Sequence, residues 1–268
     1  MPDPGLLVRL RGIHKVFANG TVALRELSLG VGHHEFVSLL GPSGCGKSTA
    51  LRLIAGLSEA TAGSIEWPGG GAPGAGAAPG RSLGFVFQEP TLMPWATVFG
   101  NVALPLRLQG VPTAEIRARV RQAIRMVGLD GFEAAYPRAL SGGMKMRASI
   151  ARALVTRPQL LLMDEPFAAL DEITRTRLND DLLALWAGQR WTVVFVTHSI
   201  FESVYLSQRI VVMAARPGRV VADIPIDALY PRDESFRTSA AYNEYCRRVS
   251  AALRQAMGVR GDGAAQAG

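Results

Sequence analysis

The stretch Gly41-Pro42-Ser43-Gly44-Cys45-Gly46-Lys47-Ser48-Thr49 has the spacing G-x-x-x-x-G-K-[ST]. In this pattern the glycines let backbone N–H groups close on phosphate oxygens. The lysine reaches the outer phosphates, and the Ser48 hydroxyl completes the shell of a Mg²⁺ ion. A glycine-rich turn matches such a pattern by chance, so the flanks decide. Phe36-Val37-Ser38-Leu39-Leu40 reads as a short buried strand, and Ala50 to Leu57 as a helix whose positive end faces the same anion. A nucleoside triphosphate site follows. Cys45, at the helix start beside Lys47, is expected to carry a depressed thiol pKa and to react readily.

Further residue sets carry related chemistry. Leu160-Leu161-Leu162-Met163-Asp164-Glu165 is an apolar run closed by two carboxylates, which is costly at the end of a buried strand unless the charges have work to do. Asp164 is placed to orient a Mg²⁺ shell and Glu165 to face an attacking water. Trp191 to His198 is a second buried strand, ending in a histidine, and Leu83 to Phe87 is a third, ending at Gln88. Ser141-Gly142-Gly143 opens a helical stretch running from Lys145 to Val155. It is a capped helix start, a site for a second phosphate, or one half of a site shared between two copies of the chain. Phe17, at the tip of a hairpin, either stacks on a base or packs within the hairpin.

The elements that must position these groups are those of an α/β chain. Its 268 residues, 48% hydrophobic, suffice for one large domain with an inserted subdomain. Leu6 to Phe17 and Thr21 to Val31 form a hairpin around Ala18-Asn19-Gly20, and Ser64 to Trp67 is a further strand. Pro68 to Gly80 is nearly all glycine, alanine and proline and is expected to be a mobile loop without a site. Glu89 to Trp95 holds two prolines with Leu92, Met93 and Trp95, and serves internal packing or presents a docking surface. A helix from Thr97 to Leu108, interrupted near Pro105, precedes one capped by Thr113 with Ile116, Val120, Ile124 and Val127 on one face. After Ala169-Leu170-Asp171 comes a helix from Glu172 to Ala187. Near the end, Tyr242, Tyr245, Val249 and Leu253 line one face of a helix that covers the domain or its dimer edge. The tail Gly261 to Gly268 is expected to be disordered.

No run of about 18 uncharged apolar residues occurs, and Met1 to Gly5 lacks the features of a secretion signal. The two cysteines, Cys45 and Cys246, have no paired or metal-ligand spacing and are expected to be free. The net charge of +7 includes Arg117, Arg119, Arg121 and Arg125 on one helix and Arg247 and Arg248 on another. These read as solvated faces, and no nucleic-acid partner is expected.

Taken in order, the phosphate loop, Gln88, Leu140 to Met144, Met163-Asp164-Glu165, Ala169-Leu170-Asp171 and His198 resemble the ATP-binding subunit of ABC transporters over about Leu6 to Pro225. The resemblance implies a P-loop NTPase core sheet with an N-terminal antiparallel β subdomain and an inserted α-helical signature subdomain at about 90–155. It sets an ATPase domain at 1–225 and a C-terminal helix and flexible tail at 226–268. It further implies a head-to-tail pair of subunits, with each Mg-ATP lying between one phosphate loop and the partner's Ser141-Gly142-Gly143 turn. In the same scheme Phe17 stacks on adenine, Gln88 reaches Mg²⁺ and the attacking water, Glu165 is the general base, His198 touches the γ-phosphate, and Asp171 links the two sites. Met144 and Ser199 stand where many members carry glutamine and aspartate, and leave the catalytic groups intact. A finer likeness, to importers of nitrate, alkanesulfonates and taurine, rests on Met93-Pro94-Trp95, Asp171 to Thr174, Thr197 to Glu202 and Arg216-Pro217-Gly218-Arg219. The partners implied are integral membrane permease subunits and, through them, an extracytoplasmic solute-binding protein, with the chain peripheral on the cytoplasmic side of the inner membrane. A soluble ABC ATPase acting on nucleic acid or ribosomes is the rival; the single cassette without sustained heptads disfavours it.

Overall fold

A computed structural model describes residues 5–68, 83–189 and 191–258. The expected loop from Pro68 to Gly80 lies outside the described residues from residue 69 on, as does the whole tail from Gly261.

Two sheets organise the chain. Strands β1 (Leu6–Val16) and β2 (Val22–Gly32) form the expected antiparallel hairpin, and β4 (Ala62–Glu66) pairs with the free edge of β1, giving the order β2-β1-β4. The larger sheet joins β5 (Leu83–Val86), β6 (Leu160–Asp164), β7 (Thr192–Thr197), β3 (Phe36–Leu40), β8 (Arg209–Ala214) and β9 (Arg219–Pro225), in that order. Its strands are parallel except β9.

The central strands are apolar throughout because both of their faces are covered. Phe36, Leu161, Met163, Phe195 and Val212 point into one core, while Val37, Leu39, Leu160, Leu162 and Val194 point into the other. The first core is closed by helices including α2 (Val98–Leu108), α3 (Thr113–Met126), α4 (Gly142–Leu154), α5 (Glu172–Gln189) and α6 (Ile200–Leu206). The second lies under α1 (Lys47–Ile54) and the smaller sheet.

Two helix expectations are corrected. α2 runs unbroken through Pro105, which sits in its last turn, where its carbonyl still accepts from the Gln109 N–H at 3.1 Å. Thr113 is the first residue of α3 and not its cap; Pro112 holds the cap position and offers no side-chain bond. Ile116, Val120, Ile124 and Val127 are buried as expected.

The short helix α7 (Glu234–Arg237) and the terminal helix α8 (Ala240–Ala256) complete the chain. α8 lays Tyr242 and Val249 against the first core, with Tyr245 and Leu253 half-buried beside them. The segment leading to them is anchored by Arg232, only 4% exposed. Its guanidinium donates to the carbonyls of Val204, Tyr205, Ser207, Ile226 and Ala228 and lies 4.1 Å from the centre of the Tyr230 ring. Four buried acceptors and one part-buried one thus share one cation. Arg232→Met is expected to lower unfolding free energy by at least about 3 kcal/mol, since bonds to a charged donor contribute about 1.5–3 kcal/mol each and the stranded carbonyls have no substitute. Urea denaturation measures it.

Candidate functional site

The site grows from the carboxyl ends of β3, β6 and β7, which parallel pairing brings to one edge of the sheet. After β3 the chain turns through Gly41 to Gly46 into α1. Gly46 has φ +91°, and a Cβ there would meet Leu24 Cδ2 at 2.6 Å, so both conformation and space require glycine. Lys47 follows, 4% exposed. Its ammonium donates to the carbonyls of Gly41 (2.8 Å) and Pro42 (3.2 Å) and stands 3.5 Å from Glu165 Oε1.

β6 delivers the two carboxylates to different tasks. Asp164 accepts from the Ser48 hydroxyl at 2.7 Å. Burial pushes its carboxyl above the usual range, and the Ser48 bond opposes that rise. Glu165 has φ +46°, a left-handed backbone uncommon outside glycine. The Val196 carbonyl holds it there by accepting its N–H at 3.0 Å. Its Oε2 lies 3.1 Å from Nδ1 of His198, the residue just beyond β7. Lys47, Glu165 and His198 therefore form one chain of contacts, with Ser48 and Asp164 alongside.

A cleft of about 530 Å³ opens over Lys47, Ser48 and Glu165, lined also by Phe17, Ser43 to Thr49, Gln88 and Arg216, while Asp164 and His198 stand outside its lining. Phe17 stands at the edge of the cleft, its ring 5.3 Å from the Lys15 ammonium of its own hairpin. Its backbone is tied into the turn with Thr21 and Gly20, while its ring is 42% exposed at the cleft. Gln88 is exposed two residues past β5. Ser141, Gly142, Gly143 and Asp171 do not line the cleft. Ser141 caps α4, accepting from the Met144 N–H at 3.2 Å, which leaves the N–H groups of Gly142 and Gly143 without partners in their own helix. Asp171 sits at the head of α5, where its carboxylate accepts from the Thr174 N–H at 2.9 Å; that bond holds its pKa below the usual value. The two motifs adjoin each other: a Cβ on Gly142 would touch Leu170, and one on Gly143 would clash with Thr174 at 2.8 Å.

Among the described residues no group of three or more His, Cys, Asp or Glu forms a metal cluster. The oxygen donors of Ser48, Asp164 and Gln88 suit a hard cation that takes its remaining ligands from phosphate and water, as Mg²⁺ does.

Sequence reasoning missed Thr21, Val22, Ala23 and Arg216 as cleft residues. The segment Arg216 to Arg219 carried a signal, but its role appears only in the tertiary contacts. Gly218 exchanges backbone bonds with Ala23 and Arg25, and a Cβ on it would lie 2.2 Å from the Cys45 carbonyl. The turn thus presses directly on the phosphate loop. Also missed was Asn101, fully buried in α2. It accepts from the Met93 N–H at 2.7 Å and donates to the carbonyls of Met93, Ala96 and Thr97, closing the loop that exposes Trp95. Arg152 of α4 holds the other end, donating to the carbonyls of Pro90 and Thr91.

Comparison with known proteins agrees over most of the chain. The family model described as ABC transporter matches residues 24–168. An uncharacterized ABC transporter ATP-binding protein of Methanocaldococcus jannaschii is 47% identical over 90% of this chain and 89% of its own. The aliphatic sulfonates import ATP-binding protein SsuB of Bacillus subtilis is 44% identical over 84% of this chain and 85% of its own. Among solved structures, cbiO1 of Clostridium perfringens, part of the ABC transporter complex cbiONQ, superposes with a TM-score of 0.75 at 26% identity, covering 94% of this chain and 97% of its own. A dimeric ATP-binding cassette in a post-hydrolysis state with ADP and Pi gives 0.71 at 32% identity, covering 83% of this chain and all of its own.

Cys45 reverses its expectation. Its side chain is fully buried, and desolvation raises the thiol pKa more than the nearby Lys47 ammonium lowers it. The helix-start rule counts charge and omits burial. Iodoacetamide at pH 7.5 is expected to label Cys45 at least about tenfold more slowly in the folded chain than after denaturation, as read by peptide mass spectrometry. Equal rates would contradict the burial.

Proposed function

The chain belongs to the ABC transporter ATP-binding proteins, and from that membership we propose that it hydrolyses ATP to drive an importer of a small solute of the sulfonate, taurine or nitrate type. The cargo class rests on the likeness to aliphatic sulfonates import proteins at 40–44% identity. The catalytic reading rests on one observation, the contact chain Lys47–Glu165–His198 at adjoining strand ends.

In this reading Lys47 exchanges its bonds to the loop carbonyls for the outer phosphates, while the loop N–H groups and the positive end of α1 hold the rest. Phe17 offers its exposed ring to the adenine. Ser48, Asp164 and Gln88 would hold Mg²⁺, which would supply charge neutralisation at the phosphates. Glu165 accepts a proton from the attacking water, and His198, in contact with that carboxylate, steadies it and reaches toward the γ-phosphate. Ser141, Gly142, Gly143 and Asp171 serve the site of a second copy, which fits their place outside the cleft of their own chain. We read residues 1–225 as the ATPase unit, with α2 to α4 as its helical subdomain, and 226–268 as its C-terminal extension.

No helix among the described residues is long and apolar enough to cross a membrane; from the family membership, attachment is assigned to permease subunits, on the cytoplasmic face. An open apolar groove beside Gln88, lined by Phe85, Phe87, Leu104 and Leu108, adjoins the loop carrying Trp95, 76% exposed. It suits a short helix of the permease, and through the permease the chain serves a solute-binding protein outside the membrane.

Glu165→Gln is expected to bind Mg-ATP, lose at least about 100-fold in hydrolysis, and dimerise only when ATP is present, as measured by light scattering after size exclusion. ATP binding without any dimer would remove Ser141 to Gly143 from the partner's site. Trp95→Ala with Met93→Ala is expected to reduce co-purification with the permease at least about tenfold, as for buried interface anchors, with ATP affinity unchanged. Full retention would end the docking assignment.

A further inference from the structure

Behind the His198 turn lies a buried ion pair that the cleft chemistry does not use. Glu202, in the first turn of α6, is 8% exposed. Its Oε2 accepts from the Thr197 hydroxyl at 2.5 Å, and that hydroxyl oxygen accepts from the Ser199 N–H at 2.9 Å. Carboxylate and hydroxyl together brace both sides of His198. The other oxygen of Glu202, Oε1, is buried without a hydrogen-bond partner and faces Arg175 Nε at 3.9 Å.

Toward Glu202, Arg175 offers charge without a hydrogen bond; its donors go to the other loop through Nε and Nη2 and to its own helix through Nη1. Nη2 donates to the Leu170 carbonyl at 2.8 Å, Nε to the Phe167 carbonyl at 3.3 Å, and Nη1 to Glu172 at 3.1 Å. The guanidinium is planar and rigid, so these directions are fixed together. Phe167 and Leu170 belong to the turn that connects Glu165 to Asp171. The pair therefore spans the two loops that leave β6 and β7, one ending at Asp171 and the other carrying His198. Burying a carboxylate this way is expensive; desolvation raises the Glu202 pKa, and Thr197, Arg175, Asn179 and His198 oppose the rise. Apolar side chains of similar size would hold α5 against α6 at lower cost. What they would not supply is a directed link to backbone carbonyls on one side and to the Thr197–Ser199 turn on the other.

We propose that Arg175 and Glu202 are positioning residues for hydrolysis: they hold the Phe167–Asp171 turn and the His198 turn at one spacing, so that contact of Asp171 with a second copy of the chain sets the reach of His198 over Glu165. The proposal rests on the roles given above to Glu165 and His198.

The test is steady-state hydrolysis of Mg-ATP by the full chain, with the number of active sites counted by nucleotide binding. Glu202→Gln keeps size and the Thr197 bond, and Arg175→Lys keeps the charge. Each is expected to lower kcat about tenfold, the scale of a sub-ångström misplacement, with KM for ATP within about twofold. The double variant is expected to be no slower than the slower single, because both changes break one link. A wild-type kcat per active site in Glu202→Gln overturns the proposal, as do losses that multiply in the double variant. If Arg175→Lys fails to fold, Glu202→Gln decides alone. Glu165→Gln and His198→Ala run beside them; if both hydrolyse at the wild-type rate, the roles given to the site are wrong and the link falls with them.

Discussion

The buried ammonium of Lys47 is the constraint from which the rest of the site follows. Removing such a charge from water costs several kcal/mol unless acceptors surround it. Two come from its own loop, the carbonyls of Gly41 and Pro42, and the third is Glu165. The loop and Glu165 stand on strands that are not neighbours, since β7 lies between β3 and β6. Strands about 4.8 Å apart place the two outer ones about 10 Å from each other, a gap that only two long side chains close. The intervening strand ends in His198, which meets Glu165 from the middle. Strand order, side-chain length and charge thus specify one another.

Glu165 stands out among these groups for its backbone. A left-handed conformation costs of order 1–2 kcal/mol in a residue with a Cβ, and it is kept because neighbouring bonds over-determine it: its N–H to Val196 and its carbonyl to the N–H of Ala168. The adjacent Asp164, still within regular strand, instead meets Ser48. One change of backbone hand between neighbouring residues lets two carboxylates face different partners. The same strand end then runs on through Phe167 and Leu170 to Asp171, so the carboxylates of Glu165 and Asp171 share a single short stretch of chain.

How much of this was legible in the sequence depended on whether the signal was local. Three strands of the larger sheet, β5, β6 and β7, were readable because their apolar runs close at Gln88, at Asp164 and Glu165, and at His198, and a charge or polar group closing a buried run is conspicuous; β8 and β9 have no such ending and went unread. The helix starts at Ser141 and Lys47 were readable because glycine and hydroxyl spacing is a property of a few consecutive residues. Pro105 and Thr113 misled because a proline is tolerated or not, and a threonine caps or not, according to a turn's neighbours. Cys45 misled for the same reason on a larger scale: β8 and the hairpin bury it. Arg216, Gly218, Asn101 and Arg232 act through approaches between segments distant in sequence, and no local pattern marks them. That Phe17 lines the cleft depends on where the hairpin sits against the phosphate loop, which no run of neighbouring residues records.

The loop from Glu89 to Thr97 is closed on itself. Asn101 ties its far end and Arg152 its near end, and the bonds run almost wholly to backbone atoms, indifferent to which side chains the loop displays. Met93 and Trp95 can therefore be exchanged without disturbing the frame that carries them, whereas Leu92 packs against the first core; the carboxylates of Asp164 and Glu165 belong to a different strand end. The fold in this way insulates one face from the other: the side chains displayed on this loop can drift while the spacing of Asp164, Glu165 and His198, set by β6 and β7, stays fixed.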